Sequence, residues 1–264
     1  MNDVLLDLPF LTIKWYSFFL ALAILSAFFV IVKEAKKKKV SNEEMIDVFF
    51  YTILFGILGA RIYYVALEWE YYGKNILEIF MIWKGGLAIH GGILFGFFYL
   101  MHFAKKKRWN FLLLLDVIVV GLILGQAIGR WGNFFNGEAY GRIVSKKFLE
   151  QRMIPGWIIQ GMWIDGHYRE PAFLYESIGS FIGFVFLLFT RKNQQRKVGQ
   201  LTGLYCIWYG FLRFFIEGIR ADSLMIGPYK MAQVISIMSI ILGIYVLSLS
   251  KKKRQFYHKE NMKY

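Results

Sequence analysis

Seven long apolar runs set the limits on what this chain can become. They are Trp15–Val32, Met45–Leu67, Leu87–Ala104, Phe111–Ile128, Pro171–Thr190, Gly199–Ile216 and Tyr229–Ser250. Each is about the 17–25 residues that a helix needs to cross a hydrocarbon core. Backbone amides in lipid must bond within their own segment or around a closed barrel, so only helices and barrels span. No run alternates apolar with polar residues, which excludes an outer-membrane barrel. At 57% hydrophobic and 19% aromatic residues, the chain lies far from the composition of a soluble domain. The expectation is an all-α, polytopic integral membrane protein of about seven transmembrane helices.

Charge orients those helices. The formal net charge is +14, and more than half of the 32 Lys and Arg fall into clusters. These are Lys33 with Lys36–Lys39, Lys105–Arg108, Arg191/Lys192/Arg196/Lys197, and the tail Lys251–Lys263. Each cluster follows an odd-numbered run, so all lie on one side. The positive-inside rule makes that side cytoplasmic, with the N-terminus outside. A basic face joined to a folded nucleic-acid reader is missing, so no nucleic-acid partner is expected; anionic lipid accounts for the charge. Asp3 and Asp7 precede the first run, lysines follow it, and no small-residue cleavage site ends it, unlike a signal peptide. The chain reads as one membrane domain, 1–264, with 129–170 as an extracytoplasmic loop or small head.

The single cysteine, Cys206, excludes an intrachain disulfide and is read as a packing thiol. His90, His102, His167 and His258 lack metal-ligand spacing, so neither metal nor cofactor is expected. Gly121, Gly125 and Gly129 recur every fourth residue, as do Gly92 and Gly96, and are read as helix-packing positions.

Polar residues at the run ends carry the functional signal. Tyr16, Arg61, His90, Arg130, Asn133, Glu138, Tyr175, Glu176, Arg213, Glu217 and Arg220 all fall on the same, outer, leaflet although successive runs reverse direction. Charge near hydrocarbon persists where a pathway or an anionic ligand needs it. Arg213, Glu217 and Arg220 project within roughly 60° of one another on a helix. By themselves they serve equally as an ion-pair ladder. With Arg61 and Arg130 added, arginines outnumber the carboxylates and leave positive charge for an anionic head group, whose phosphate oxygens suit the guanidinium fork. His90, at a glycine-flanked helix start, is either a proton acceptor near neutral pH or an interfacial histidine bonded to a carbonyl.

The run Gly129-Arg130-Trp131-Gly132-Asn133-Phe134-Phe135-Asn136-Gly137-Glu138-Ala139-Tyr140-Gly141 resembles the signature of bacterial prolipoprotein diacylglyceryl transferases. Trp15-Tyr16, Ile89-His90-Gly91-Gly92, Pro171 with Leu174-Tyr175-Glu176, and Arg213 to Arg220 resemble that family's other blocks in the same order. The resemblance extends from about residue 12 to 250. It implies a seven-span enzyme of the bacterial plasma membrane, with its site toward the outer leaflet. Such enzymes move the diacylglyceryl group of phosphatidylglycerol onto the lipobox cysteine of preprolipoprotein signal peptides, releasing glycerol 1-phosphate. It places functional weight on Tyr16, His90, Arg130, Asn133, Glu138, Gly141, Arg213 and Glu217. The chain departs from the pattern at Gly96, one residue late, and at Glu170 and Phe173, which stand where histidine and glutamine are expected.

On this basis His90, Arg130, Arg213 and Glu138 are assigned to catalysis. Arg130, Asn133, Gly141, Tyr16, Glu217, Arg61 and Arg220 are assigned to phosphatidylglycerol. The chemistry is self-consistent: sulfur attacks a glycerol carbon, a C–O bond breaks, and arginines stabilise charge growing on the leaving phosphate. A transporter or flippase for an anionic lipid would also use an arginine-lined pocket, although such proteins more often show paired halves and broken helices. A noncatalytic membrane scaffold is the third class.

Overall fold

Each apolar run folds as a helix, and most of these helices outrun the residues that predict them. The computed structural model describes residues 4–8, 11–252 and 255–263; Asp3, Lys253 and Arg254, used above for charge placement, lie outside them. A hairpin of β1 (Val4–Leu8) and β2 (Leu11–Lys14) leads into α1 (Trp15–Lys37) and α2 (Asn42–Leu67). The short α3 (Trp69–Tyr72), two 3-10 turns (Ile76–Phe80, Ile82–Lys84), α4 (Ile89–Lys106) and α5 (Phe111–Phe135) follow. Next come α6 (Lys146–Gln151), α7 (Gly156–Gly161) and the hairpin of β3 (Trp163–Ile164) with β4 (His167–Tyr168). The chain continues through α8 (Ala172–Arg191), α9 (Gln200–Ile219), the hairpin of β5 (Met225–Ile226) with β6 (Tyr229–Lys230), and α10 (Met231–Lys252). Among the described residues the three two-stranded hairpins are the only sheets, so the protein is predominantly helical and polytopic.

Among the described residues five helices, α1, α2, α5, α8 and α10, are long and apolar enough to cross a membrane. α4 and α9 occupy the other two expected runs but are more polar. α4 carries His90, His102, Lys105 and Lys106 among its 18 residues, and α9 carries Gln200, Arg213 and Glu217 among 20. Helix ends are built by specific caps. Ser41 and Glu44 form a reciprocal capping box (3.1 and 3.3 Å) that starts α2 before its apolar run. Buried Asp116 accepts from the amides of Gly199 (2.6 Å) and Thr202 (2.8 Å), satisfying the orphan donors that begin α9.

The chain divides into two compact units. One takes the chain up to Ile31 together with Leu115–Glu260; the other takes Val32–Leu114 and the chain from Asn261. In the first, α1 crosses α5 at Gly121, where an added methyl group would sit 2.6 Å from the Ala27 carbonyl oxygen. Gly129, expected on the same packing face, would leave 3.9 Å to the Ala23 Cβ and is not needed for the approach. The Ser177 hydroxyl of α8 donates to the Ala127 carbonyl of α5 (2.8 Å), and the Trp208 indole of α9 donates to the Gly179 carbonyl of α8 (3.0 Å). α10 lies along α9, with the Ser239 hydroxyl donating to the Cys206 carbonyl (2.9 Å). Cys206 itself is half-buried and free, in keeping with a packing thiol.

Residues 129–170 do not form a loose loop. Phe134, Ile158 and Met162 bury against Phe173 and Leu174 of α8 in a small core, with Trp131 and Tyr140 packed against it. In the second unit α2 and α4 approach through Gly59 and Gly91. Gly96, expected to permit a close approach, would meet Thr52 only at 3.6 Å, an ordinary contact.

Candidate active site

The signature run begins inside a helix, not after one. α5 extends through Phe135 because aromatic packing supports turns that the apolar pattern alone does not require. The Phe135 ring stacks on Trp15 (4.8 Å between centroids) and Phe134 on Phe173 (4.6 Å). Arg130 and Asn133 therefore sit one turn apart on a rigid helix, with the Arg130 guanidinium donating to the Asn133 carboxamide oxygen at 3.3 Å. The helix ends where the Glu138 amide bonds the Asn133 carbonyl (2.9 Å). The exposed Glu138 carboxylate then receives the Asn136 carboxamide at 2.5 Å and that of Asn133 at 3.5 Å.

A relay of charges, with Glu176 and Glu217 buried and the arginines partly so, joins this end of α5 to α8 and α9. Glu176, on the second turn of α8 and 1% exposed, forms an ion pair with Arg130 Nη2 at 2.6 Å through one oxygen and accepts a hydrogen bond from Arg213 Nη1 at 3.2 Å on the other. Arg213 Nη2 also reaches Glu217 at 2.5 Å, and the same oxygen lies 4.0 Å from Arg220. Arg220 pairs through two nitrogens with Asp222, both at 2.9 Å. Asp222 accepts the Ala139 amide at 3.1 Å, which returns the relay to the signature loop. The helical ladder expected from the spacing of Arg213, Glu217 and Arg220 is present.

Within the first unit, without Arg61, the arginines do not outnumber the carboxylates. Arg130, Arg213 and Arg220 face Glu176, Glu217 and Asp222, one carboxylate for each guanidinium. Desolvation is the reason: an unpartnered guanidinium at this depth costs several kcal/mol. An anionic ligand must therefore use guanidinium N–H groups that the carboxylates leave unspent. Burial pushes the Asp222 carboxyl up, but paired Arg220 and the Ala139 amide outweigh it, so its pKa lies below the usual carboxylate value. That contribution to stability is complete above the unfolded value of about 3.9 and is lost as pH falls through the lowered folded value.

Gly141 sits where the neighbouring segments leave no room for a side chain. Its amide bonds the Glu170 carbonyl (2.7 Å), and an added methyl group would lie 2.9 Å from the Glu170 Cβ and 3.2 Å from the Ile219 carbonyl oxygen. Only glycine lets the loop pass between these segments. Tyr16 lies across Gly132, the residue before Asn133. Two of the three departures from the family pattern have local partners. Glu170 is buried and paired with Arg142 (3.0 Å) and Arg152 (3.1 Å), and Phe173 belongs to the aromatic core.

Sequence reasoning missed the link that Glu176 makes, and missed Asp222 and Tyr209 altogether. Glu176 and Tyr175 were legible as polar residues entering an apolar run, yet nothing local showed that Glu176 links two arginines. Asp222 stands outside any apolar run and gave no signal. Tyr209, one turn before Arg213, lies within electrostatic reach of Glu176, Arg130, Arg213 and Arg220.

Arg61 and His90 belong to the second unit. Arg61 is expected to bind the lipid head group, but its guanidinium is turned inward and only 6% exposed. It donates to the carbonyls of Ile79 (2.8 Å), Gly85 (2.8 Å), Gly86 (2.9 Å) and Glu78 (2.5 Å). Gly85 and Gly86 turn with φ of +89° and +77°, which presents both carbonyls to one cation. Arg61 thus clamps the segment leading to α4. His90 is the second residue of α4, exposed, and within its unit no described residue hydrogen-bonds its imidazole. Arg61→Ala should lower thermal stability, since each stranded carbonyl costs about 1–3 kcal/mol, while phosphatidylglycerol affinity in the remaining folded protein is unchanged. Normal stability with weakened lipid binding would return Arg61 to the ligand site.

A model of the prolipoprotein diacylglyceryl transferase family matches residues 3–249. The phosphatidylglycerol–prolipoprotein diacylglyceryl transferase of Staphylococcus haemolyticus is 44% identical over 246 residues, 93% of this chain and 86% of its own. Proteins of the same name from Staphylococcus saprophyticus (42% over 254 residues) and Listeria monocytogenes (41% over 253) each cover 96% of this chain and 91% of their own. Identity at this level along almost the whole length admits one conclusion: the chain belongs to the prolipoprotein diacylglyceryl transferase family.

Proposed function

We propose that this protein transfers the diacylglyceryl group of phosphatidylglycerol to the lipobox cysteine of preprolipoprotein signal peptides. The observation that carries this reading is the buried bridge from Arg130 through Glu176 to Arg213. It holds two planar cations where α5, α8 and α9 meet, where a phosphodiester head group would enter. The thiol sulfur forms a C–S bond to the glycerol carbon as the C–O bond to phosphate breaks. The bonding pair leaves on the phosphate oxygen as glycerol 1-phosphate, and the thiol proton passes to a base and then to solvent; His90 is the candidate for that base that the sequence offers, with a positioning role as its alternative. Arg130 and Arg213 oppose the charge that develops on the leaving group, while Asn133, with Glu138 beyond it, orients Arg130.

In this reading seven helices of one membrane domain span a bacterial plasma membrane, with the N-terminus outside and the C-terminus cytoplasmic. Residues 129–170 form an extracytoplasmic head, and the site opens to the outer leaflet. The four basic clusters support that orientation. Purified protein incubated with phosphatidylglycerol and a lipobox peptide should raise the peptide mass by one diacylglyceryl group and release glycerol 1-phosphate. A protein that only moves lipid would leave the peptide mass unchanged. In a Cys206→Ala background, Lys146→Cys should react with an impermeant reagent in intact cells, and Lys107→Cys and Lys192→Cys should not. Labelling at Lys107→Cys would reverse the orientation.

A further inference from the structure

We propose that Glu176 is a positioning residue for the transfer reaction, setting how the Arg130 and Arg213 guanidiniums converge on one phosphate. The inference rests on the functional reading above and extends it to a residue assigned no role there by the family blocks. Arg130 is on α5, Arg213 on α9 and Glu176 on α8. Its two carboxylate oxygens are divided between the arginines, 2.6 Å to Arg130 and 3.2 Å to Arg213, and the side chain is 1% exposed. Each arginine also has a second anchor on its own helix, Asn133 for Arg130 and Glu217 for Arg213. Glu176 is the group among these that ties one guanidinium to the other. Its depth keeps it out of reach of substrate, so it acts through the arginines and not on the reacting atoms.

Carboxylate chemistry makes this testable. Glutamine has nearly the same shape, but one end of its amide is a donor. Glu176→Gln can therefore satisfy one guanidinium and must turn N–H groups against the other. Aspartate keeps both acceptor oxygens but is one methylene shorter and cannot hold both arginines at their present distances. The full chain in detergent, with phosphatidylglycerol and a lipobox peptide, gives the readout. Glu176→Gln should reduce kcat on the order of 10²-fold while KM for phosphatidylglycerol stays level or falls, because the arginine pair keeps its charge and loses only its geometry. A residue that merely packs would tolerate this near-isosteric change with wild-type kcat.

A double-mutant cycle supplies the second measurement. In an Arg213→Lys background, Glu176→Gln should cost less than 10-fold further, since two changes in one coupled unit are not additive. Wild-type kcat in Glu176→Gln, or full additivity in the cycle, overturns the assignment. If Glu176→Gln does not accumulate, Glu176→Asp decides: reduced kcat with retained lipid binding supports the inference and wild-type kcat refutes it. A wild-type protein that transfers nothing to the peptide removes the functional reading and this inference together. Active wild type beside an equally active Glu176→Gln removes the inference alone.

Discussion

Arg130→Lys and Arg213→Lys will each lower kcat for diacylglyceryl transfer by about 10²–10³-fold, the loss expected when one preorganised donor to a developing anion is removed, roughly 2.7–4 kcal/mol. Charge is conserved in both variants, so the effect isolates geometry. Arginine presents five N–H donors in a fixed plane, and each of these arginines spends some on buried carboxylates while keeping others for a ligand. Lysine is a point charge that cannot bind Glu176 and a phosphate along fixed directions at once. Lys84→Ala is the comparison. Lys84 is a surface cation paired with Glu78 at 2.9 Å, more than half exposed, and its removal should leave kcat within twofold. Lys230 would be a poor comparison, because its ammonium caps α9 by donating to the carbonyls of Glu217 (2.7 Å) and Arg220 (2.9 Å). Wild-type turnover of either arginine variant at normal membrane abundance would take that residue out of the mechanism.

His90→Gln should lose about 10²–10⁴-fold in transfer rate at pH 7, the usual contribution of a general base, with thermal stability and phosphatidylglycerol binding intact. Stability should survive because His90 is exposed on the first turn of α4 and within its unit packs into no core. Glutamine keeps bulk and hydrogen-bonding capacity but takes up no proton near neutrality. Raising the pH toward the ordinary cysteine value of about 8.5 should recover part of the rate, because the peptide thiol then ionises unaided. A near-normal rate at pH 7 would leave His90 a positioning role only. Loss of expression would make it structural.

Much of the fold was legible because spanning helices announce themselves by length and apolarity, local properties of the chain. All seven runs are helical, from α1 to α10. Their ends were less legible. α2 starts early through the Ser41–Glu44 box, and α5 runs to Phe135 through ring stacking with Trp15, over a hundred residues away in the chain. Gly121 was correctly read as a packing glycine, but its partner on α1 was not available from spacing. The helical ladder of Arg213, Glu217 and Arg220 was legible for the opposite reason: its partners are three and four residues apart.

By itself the sequence determined the membrane environment, the helices that occupy it and the residue types gathered at their ends. Hydrophobic length and helical periodicity act over a few turns and need no knowledge of neighbours. Only the tertiary structure decided which charge meets which. Glu176 reaches Arg130 and Arg213 across three helices, Asp222 reaches back to Ala139, and Arg61 turns inward onto four carbonyls instead of outward to a ligand. Those choices follow from desolvation: a buried guanidinium takes the acceptors that packing brings within reach, and which acceptors those are depends on segments far apart in the chain.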